Sequence, residues 1–185
     1  MSDTSRLTRI ALVVLAALPL GCGGDKEPGA SADLDPLGNS GVKGNVTLTE
    51  LGGDKVRITG VVTGLAPGNH GFHVHQYGDC SSSDGKSAGD HFNPYGTDHG
   101  APSAGEKHPG DFGNIEADAS GRAEFRIETE AVSLAPGKAS VLGRAMIVHA
   151  KADDFGQPSG NAGERVACGV IMATRGETEI IVPQD

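Results

Sequence analysis

The chain has 185 residues, 29 of them glycine, no tryptophan and a net charge of −9. This length fits one domain with one buried core. The acidic balance, without a Lys/Arg cluster that could follow a phosphate backbone, excludes a nucleic-acid-binding protein. Short runs of Val, Ile and Thr bounded by Gly, Pro, Asn and Asp favour β-structure with many turns.

Residues 1–21 have the features of a secretory signal peptide. Two arginines precede an uninterrupted apolar run over residues 10–20, about half the length that a transmembrane helix needs. The run ends at a small residue and Cys22, as in bacterial lipoprotein signals, although Pro19 stands where those signals usually carry Leu. We predict export to the periplasm or cell envelope, with a lipid on Cys22 that attaches the protein to a membrane. The alternative is a signal that is cut without lipidation.

A lipid-anchored flexible tether is predicted over residues 22–39. From residue 25 onward this stretch is mostly Gly, Pro, Ala, Ser and Asp, with almost no large apolar residues. Such a composition buries too little surface to order the chain. The folded domain is therefore predicted to span residues 40–185.

The predicted β-strands are short and separated by turn residues. Residues 41–50 and 55–63 alternate apolar and polar side chains around a Gly-rich turn, which predicts a β-hairpin. Periodicity is absent over residues 77–111, which is typical of a functional loop. The other predicted strands are residues 70–76, 112–117, 122–128, 141–149, 165–174 and 177–182. About eight antiparallel strands predict an all-β fold, either an eight-stranded Greek-key flattened barrel or an immunoglobulin-like sandwich, with two long loops.

The three cysteines are Cys22, Cys80 and Cys168. If Cys22 carries the lipid, the other two form an even pair, which predicts a disulfide in an oxidising compartment. A bridge over about ninety residues would stabilise the fold by about 4–5 kcal/mol in the chain-entropy model. The alternative, Cys80 as a metal thiolate, lacks the nearby second cysteine of a typical zinc pair.

All seven histidines lie between residues 70 and 149. His73 and His75 flank one residue on a predicted strand, so both imidazoles project from the same face. His149 ends the apolar run AMIVH, where a ligand role would give the buried imidazole a partner. The long loop supplies a set that suits a closed zinc site, namely His91, His99, His108 and Asp111. The alternative is a flexible loop that happens to contain histidines.

Five strings occur in order along the chain: GFHVHQYGDC, SAGDHFNP, KHPGDFGN, HAKADD and GNAGERVACGV. Together they resemble the signatures of copper,zinc superoxide dismutases, over about residues 41–173. The resemblance implies an oxidoreductase that converts superoxide to oxygen and hydrogen peroxide. It implies one copper per chain, cycling between Cu(II) and Cu(I), and one structural zinc per chain.

Carried over position by position, the resemblance implies two metal sites that share His91 as a bridging imidazolate, which takes up a proton when copper is reduced. The implied copper ligands are His73, His75, His91 and His149. The implied zinc ligands are His91, His99, His108 and Asp111.

The resemblance also implies roles outside the ligand set. Asp153 would link His73 to His99 and fix their rings. Cys80 and Cys168 would form the family's disulfide, and Arg165 would hold the superoxide anion beside copper. The counterpart of His70 in the family is structural.

The chain departs from the animal enzymes at residues 154–160, where a longer loop with guiding Glu and Lys residues is missing. Steering of the anion then rests on Arg165 and on Lys86, Lys107 or Lys151, which the sequence does not rank. The alternative function is a copper or zinc carrier or scavenger on the same fold without turnover. The motifs leave a monomer and a homodimer both open.

Overall fold

The computed structural model describes residues 29–174, which form antiparallel β-strands joined by turns and two long loops. The only helical element in this range is one 3-10 turn at Lys86–Ala88. The strands are β1 (Gly29–Pro36), β2 (Lys43–Glu50), β3 (Val56–Thr63), β4 (Gly68–His75), β5 (Asp111–Ala117), β6 (Ala123–Thr129), β7 (Ala145–His149), β8 (Arg165–Val170) and β9 (Met172–Thr174).

The strands pair in the order β5-β4-β7-β8-β1-β2-β3-β6, and β9 adds to β1. β4 follows β3 in sequence but lies on the far side of the sheet, while β6 returns to pair with β3. This crossing is the Greek-key connection. The end strands β5 and β6 pack against each other, so the sheet nearly closes into a barrel. The predicted all-β, eight-stranded barrel is confirmed, with β9 as a short ninth strand.

The barrel interior is filled by the inward-facing side chains of alternate strand positions. Val46, Leu48 and Ile58 are fully buried on the β2–β3 hairpin. Phe72 of β4 lies at the centre, where its ring meets that of Phe125 edge-on with centroids 4.9 Å apart. This apolar core fixes β4 and β7, the two strands that carry His73, His75 and His149.

The prediction of a flexible tether over residues 22–39 is wrong for its second half. Residues 29–36 form β1, which pairs with β2 along most of its length and with β8 at its end. Ala30, Ala32 and Leu34 alternate with polar residues and are buried to 0, 1 and 2% exposure. Two of the three buried positions are alanines, which are only weakly apolar. Beside Ser and Asp they did not indicate the period-two alternation of a β-strand. The folded domain thus includes β1, whereas residues 22–28 lie outside the described residues.

Two other predicted strands differ in extent. The strand predicted over residues 141–149 begins only at Ala145, because Arg144 N donates to Val141 O and closes a turn. The strand predicted over 165–174 is divided at Ile171 into β8 and β9. The strand predicted over 177–182 and the signal peptide lie outside the described residues. Between residues 29 and 174, no helix is long and apolar enough to cross a membrane.

Candidate metal centre

The sheet places three histidines at one end of the barrel. His73 and His75 both lie on β4 and are fully buried, and they point to the same side because side chains alternate along a strand. His149 ends β7, next to a register shift in the β7–β8 ladder. Since β4 pairs with β7, the three imidazoles converge, with ring centroids of His73 and His149 4.9 Å apart.

The long loop between β4 and β5 brings the other ligand candidates over this end. Backbone bonds attach the loop to β4: Phe92 N donates to Val74 O at 2.8 Å, and Val74 N donates to Gly110 O at 3.0 Å. His91 forms an isolated bridge with His75. The loop is therefore held by β4 on both sides of His99.

Seven buried side chains form two groups that share His91. In each group the candidate ligand atoms lie within 4.8 Å of one another. The first group is His73, His75, His91 and His149, and the second is His91, His99, His108 and Asp111. The structure thus brings together all seven side chains that the resemblance implies as ligands, in the two sets that it implies.

The first group has three buried nitrogens without a hydrogen-bond partner: Nδ1 of His73, Nε2 of His75 and Nε2 of His149. The opposite nitrogen of each ring is held, by Asp153 Oδ2 at 2.8 Å, Gly89 O at 3.0 Å and Gly163 O at 3.4 Å respectively. These oxygens accept, so the held nitrogen carries the proton and the unpartnered nitrogen keeps its lone pair. Three convergent buried lone pairs would be unfavourable without a cation, so the residues fit a metal ion with imidazole ligands.

The second group joins three imidazoles to one carboxylate. Asp111 Oδ1 lies 2.8 Å from His91 Nδ1 and 3.2 Å from His108 Nδ1. Asp111 Oδ2 lies 2.9 Å from His99 Nδ1, without the geometry of a hydrogen bond. Three nitrogens and one carboxylate oxygen are the donor set of a closed tetrahedral zinc site, so this group fits zinc.

The carboxylate of Asp153 contacts one histidine of each group, His73 in the first and His99 in the second. Its Oδ1 lies 3.0 Å from His99 Nε2, while its Oδ2 accepts from His73 Nε2. Asn114 holds the backbone of Asp153 on both sides, through Asp153 N to Asn114 Oδ1 at 2.7 Å and Asn114 Nδ2 to Asp153 O at 2.9 Å. Asn114 was not singled out from the sequence, although it ends the string KHPGDFGN that carries the resemblance.

Gln157 is a second residue that the sequence did not single out. Its side-chain amide bonds the backbone of His99 twice, as donor to the carbonyl at 2.8 Å and as acceptor from the N–H at 3.3 Å. These two hydrogen bonds connect the short loop after β7 to the long loop after β4. No local pattern signals it, because the two residues are far apart in sequence.

Burial keeps three imidazoles of the first group neutral, those of His73, His75 and His149. Desolvation lowers the pKa of His73 and of His75 well below the usual value, and the neighbouring His91 and, for His75, Arg165 lower it further. Burial and His91 lower the pKa of His149 to about 4. Burial alone would raise the pKa of Asp111, but the hydrogen bond from His91 and the adjacent imidazoles bring it below its ordinary range. At neutral pH His73, His75 and His149 are therefore neutral and Asp111 is ionised, which are the protonation states that metal binding needs.

An open cavity leads from solvent to both groups. Its wall includes His75, His91, His108 and His149, together with the half-buried Arg165. The Arg165 guanidinium donates to Gly85 O at 2.6 Å. Gly85 has a φ of +70°, and a Cβ there would press on Leu37 and Arg165. Burial lowers the pKa of Arg165 from its usual value, with Asp90 and Asp84 opposing that shift.

The disulfide predicted between Cys80 and Cys168 is present. It joins the start of the long loop to β8, three residues after Arg165. Because Gly85 lies in the same loop, the bridge also holds the carbonyl that fixes the Arg165 guanidinium. The structure thus excludes Cys80 as a metal ligand.

The structure separates the three lysines that the sequence could not rank. Lys86 lies 3.1 Å from Asp84 in an exposed ion pair. Lys107 lines a different depression, beside Tyr95. The stem of Lys151 lies against Gly163, which lines the metal-site cavity. His70 stands apart from both groups, with ring nitrogens 2.8 Å from the carbonyls of His149 and Ala66.

Known proteins share both the sequence pattern and the fold. Residues 42–171 match the family described as Copper/zinc superoxide dismutase (SODC). An extracellular superoxide dismutase [Cu-Zn] of Onchocerca volvulus is 48% identical over 145 residues, covering 72% of this chain and 71% of the relative. The crystal structure of the clock protein EA4 superposes with a TM-score of 0.72 at 40% identity, covering 81% of this chain and 97% of that one.

Copper chaperones for superoxide dismutase are also similar. The Rattus norvegicus protein is 43% identical over 75% of this chain, and the Homo sapiens protein is 41% identical over 84%. This chain spans 52% and 58% of their respective lengths. The family match covers most of the described residues, and the two buried donor groups fit its two metals. The chain belongs to the copper/zinc superoxide dismutase family, with copper and zinc as its cofactors.

Proposed function

We propose that the protein is an oxidoreductase that dismutates superoxide, converting two superoxide anions and two protons into one oxygen and one hydrogen peroxide. Copper is assigned to the first histidine group and zinc to the second. The observation that carries the proposal is the cavity that opens on both groups with the Arg165 guanidinium in its wall. A site that only stored metal would need neither an opening nor a fixed positive charge beside it.

When bound, copper supplies one-electron redox chemistry by alternating between Cu(II) and Cu(I), whereas zinc has no redox chemistry. The protein residues supply charge and protons. Arg165 attracts and orients the anion in the cavity, where the net charge of −9 would otherwise repel it. Gly85 O accepts a hydrogen bond from one N–H group of the guanidinium and fixes its position. The other N–H groups can then donate to the anion.

His91 is the proposed proton carrier. Its Nδ1 faces Asp111 in the second group at 2.8 Å, which leaves Nε2 for the first group. With copper and zinc bound, Nε2 would accept a proton and pass it to the reduced substrate. The contact of Nδ1 with Asp111 would keep the ring oriented during this transfer.

Metal substitution tests the proposal. Protein carrying copper and zinc is compared with the same protein carrying zinc in both groups, which has the same fold and charge but no redox metal. We expect rapid loss of superoxide with the first and none with the second, measured by stopped-flow absorbance. Equal rates for the two forms would remove copper turnover from the function.

A carrier or scavenger without turnover is the second candidate, and the similarity to copper chaperones favours it. It requires the same metal ligands but no role for Arg165. Full copper and zinc occupancy without superoxide turnover would support this candidate and exclude the enzyme.

We further propose that the protein is exported and attached to a membrane by a lipid on Cys22. The Cys80–Cys168 disulfide supports an oxidising compartment, and the Onchocerca volvulus relative is extracellular by name. Residues 23–28 would separate the lipid from β1. Fractionation of cells that express the wild type and Cys22→Ser tests the anchor: we expect the wild type in the membrane fraction and the variant in the soluble fraction.

A further inference from the structure

The cavity that leads to the metal groups is lined by two opposite formal charges besides its histidines. Within the described part of the chain these are Arg165 and Asp90, whereas the other lining residues, including Gln76 and Asn93, are uncharged. An anion that approaches the metal groups therefore meets one attracting and one repelling side chain. Of these two side chains, only Arg165 has a role in the proposed dismutation.

The backbone of Asp90 is fixed at the end of β4. Gln76 N donates to Asp90 O at 2.9 Å, and Asp90 N donates to the Gln76 side-chain oxygen at 3.3 Å. Asp90 directly precedes His91, so its position is tied to the residue that both metal groups share. These contacts fix the Asp90 backbone at the cavity wall.

The Asp90 carboxylate itself has no structural task within residues 29–174. It is exposed, and no described residue gives it a hydrogen bond or an ion pair. It also interacts electrostatically with the Arg165 guanidinium across the cavity. An unpaired carboxylate on a fixed stretch of backbone acts on its surroundings mainly through its charge.

We propose that the negative charge of Asp90 weakens the binding of small anions at the cavity and thereby limits the rate with superoxide. Its negative charge offsets part of the attraction of Arg165, so the cavity admits anions less readily than the guanidinium alone would allow. The rate effect rests on the proposed dismutase function, whereas the effect on anion binding does not.

The test is an azide titration of copper,zinc-loaded protein, followed by the Cu(II) absorption spectrum, for wild type and Asp90→Asn. Removing one charge near a half-exposed site should tighten azide binding about two- to five-fold at low ionic strength, and less at about 0.15 M salt. The kcat/KM for superoxide should rise by a similar factor. Asp90→Ser, a second uncharged variant, should behave in the same way.

Two controls separate a local effect from a change in net charge. Asp98→Asn makes the same charge change in the same loop, one residue before His99, but Asp98 does not line the cavity. Asp90→Glu keeps the charge. Both should retain wild-type azide affinity. Equal tightening in Asp90→Asn and Asp98→Asn, or no tightening in either, would overturn the proposal. Tighter azide binding without any superoxide turnover would support Asp90 and reject only the enzyme function.

Discussion

The Asp153 carboxylate joins His73 to His99, with its two oxygens 2.8 and 3.0 Å from the Nε2 atoms of the two rings. One side chain therefore orients a ligand candidate in each metal group. Because Asn114 holds the Asp153 backbone in turn, the arrangement is built into the fold between β5 and the loop after β7.

This relationship predicts that Asp153→Asn weakens retention of both metals. The amide cannot accept from both rings, so the tautomers of His73 and His99 are no longer fixed. Loss of such a supporting carboxylate typically lowers metal affinity about 10- to 100-fold. Competition with a chelator of known affinity measures this. The control is Asp154→Asn, an exposed neighbour that contacts Gly156 and Asn161 instead; comparable metal loss in both variants would contradict the role of Asp153.

Arg165→Ala should keep both metals and slow turnover. Without the guanidinium, the cavity loses its attracting charge and the donor that holds the anion. We expect kcat/KM to fall about ten- to hundred-fold, with weaker dependence on ionic strength. Arg122→Ala, which removes an exposed arginine paired with Glu124, is the matched control and should leave kcat/KM unchanged. Wild-type kinetics in Arg165→Ala would remove Arg165 from its proposed role.

Lys151 should assist steering more than Lys107. Its stem lies on Gly163 at the cavity, whereas Lys107 lines a separate depression. At low ionic strength, Lys151→Gln should lower kcat/KM about two-fold, with the difference fading towards about 0.15 M salt. Stopped-flow rates over a salt series measure it. A larger effect from Lys107→Gln would reverse the ranking.

The metal-free protein should lose stability as the pH falls. The folded-state pKa of His149 is about 4, and those of His73 and His75 are also lowered, so the unfolded chain binds more protons below the ordinary histidine pKa. Stability is then full above about pH 6.5 and is lost progressively down to about pH 4, with His149 alone contributing on the order of 3 kcal/mol. Urea unfolding with a chelator present, at several pH values, checks this; a midpoint independent of pH over that window would contradict it.

Removing the disulfide should destabilise the domain and loosen Arg165. The bridge spans a sequence separation of 88 residues, so replacing both Cys80 and Cys168 with Ser should lower the free energy of unfolding by about 4 kcal/mol. Because the bridged loop also carries the Gly85 carbonyl, kcat/KM should fall in the folded variant. Denaturation and kinetics measured on the same sample test both effects, and an unchanged unfolding midpoint would refute the first.

Local patterns predicted the barrel strands and the metal-site histidines. His73 and His75 follow strand alternation, and the order of the five strings placed Asp153, Arg165 and the two cysteines. The first strand was missed because Ala30 and Ala32 are too small to stand out among polar neighbours. The role of Gln157 depends on a contact with a segment distant in sequence, and that of Asp90 on sharing a cavity wall with Arg165. Periodicity encodes neither.

The central claim is that copper at the first histidine group turns over superoxide. The most direct measurement is the number of superoxide anions consumed per copper, from stopped-flow traces of copper,zinc-loaded protein at a large excess of superoxide. The account predicts many anions per copper, with about one hydrogen peroxide formed for every two consumed. Consumption that stops at about one superoxide per copper would show a single reduction without turnover and contradict the account.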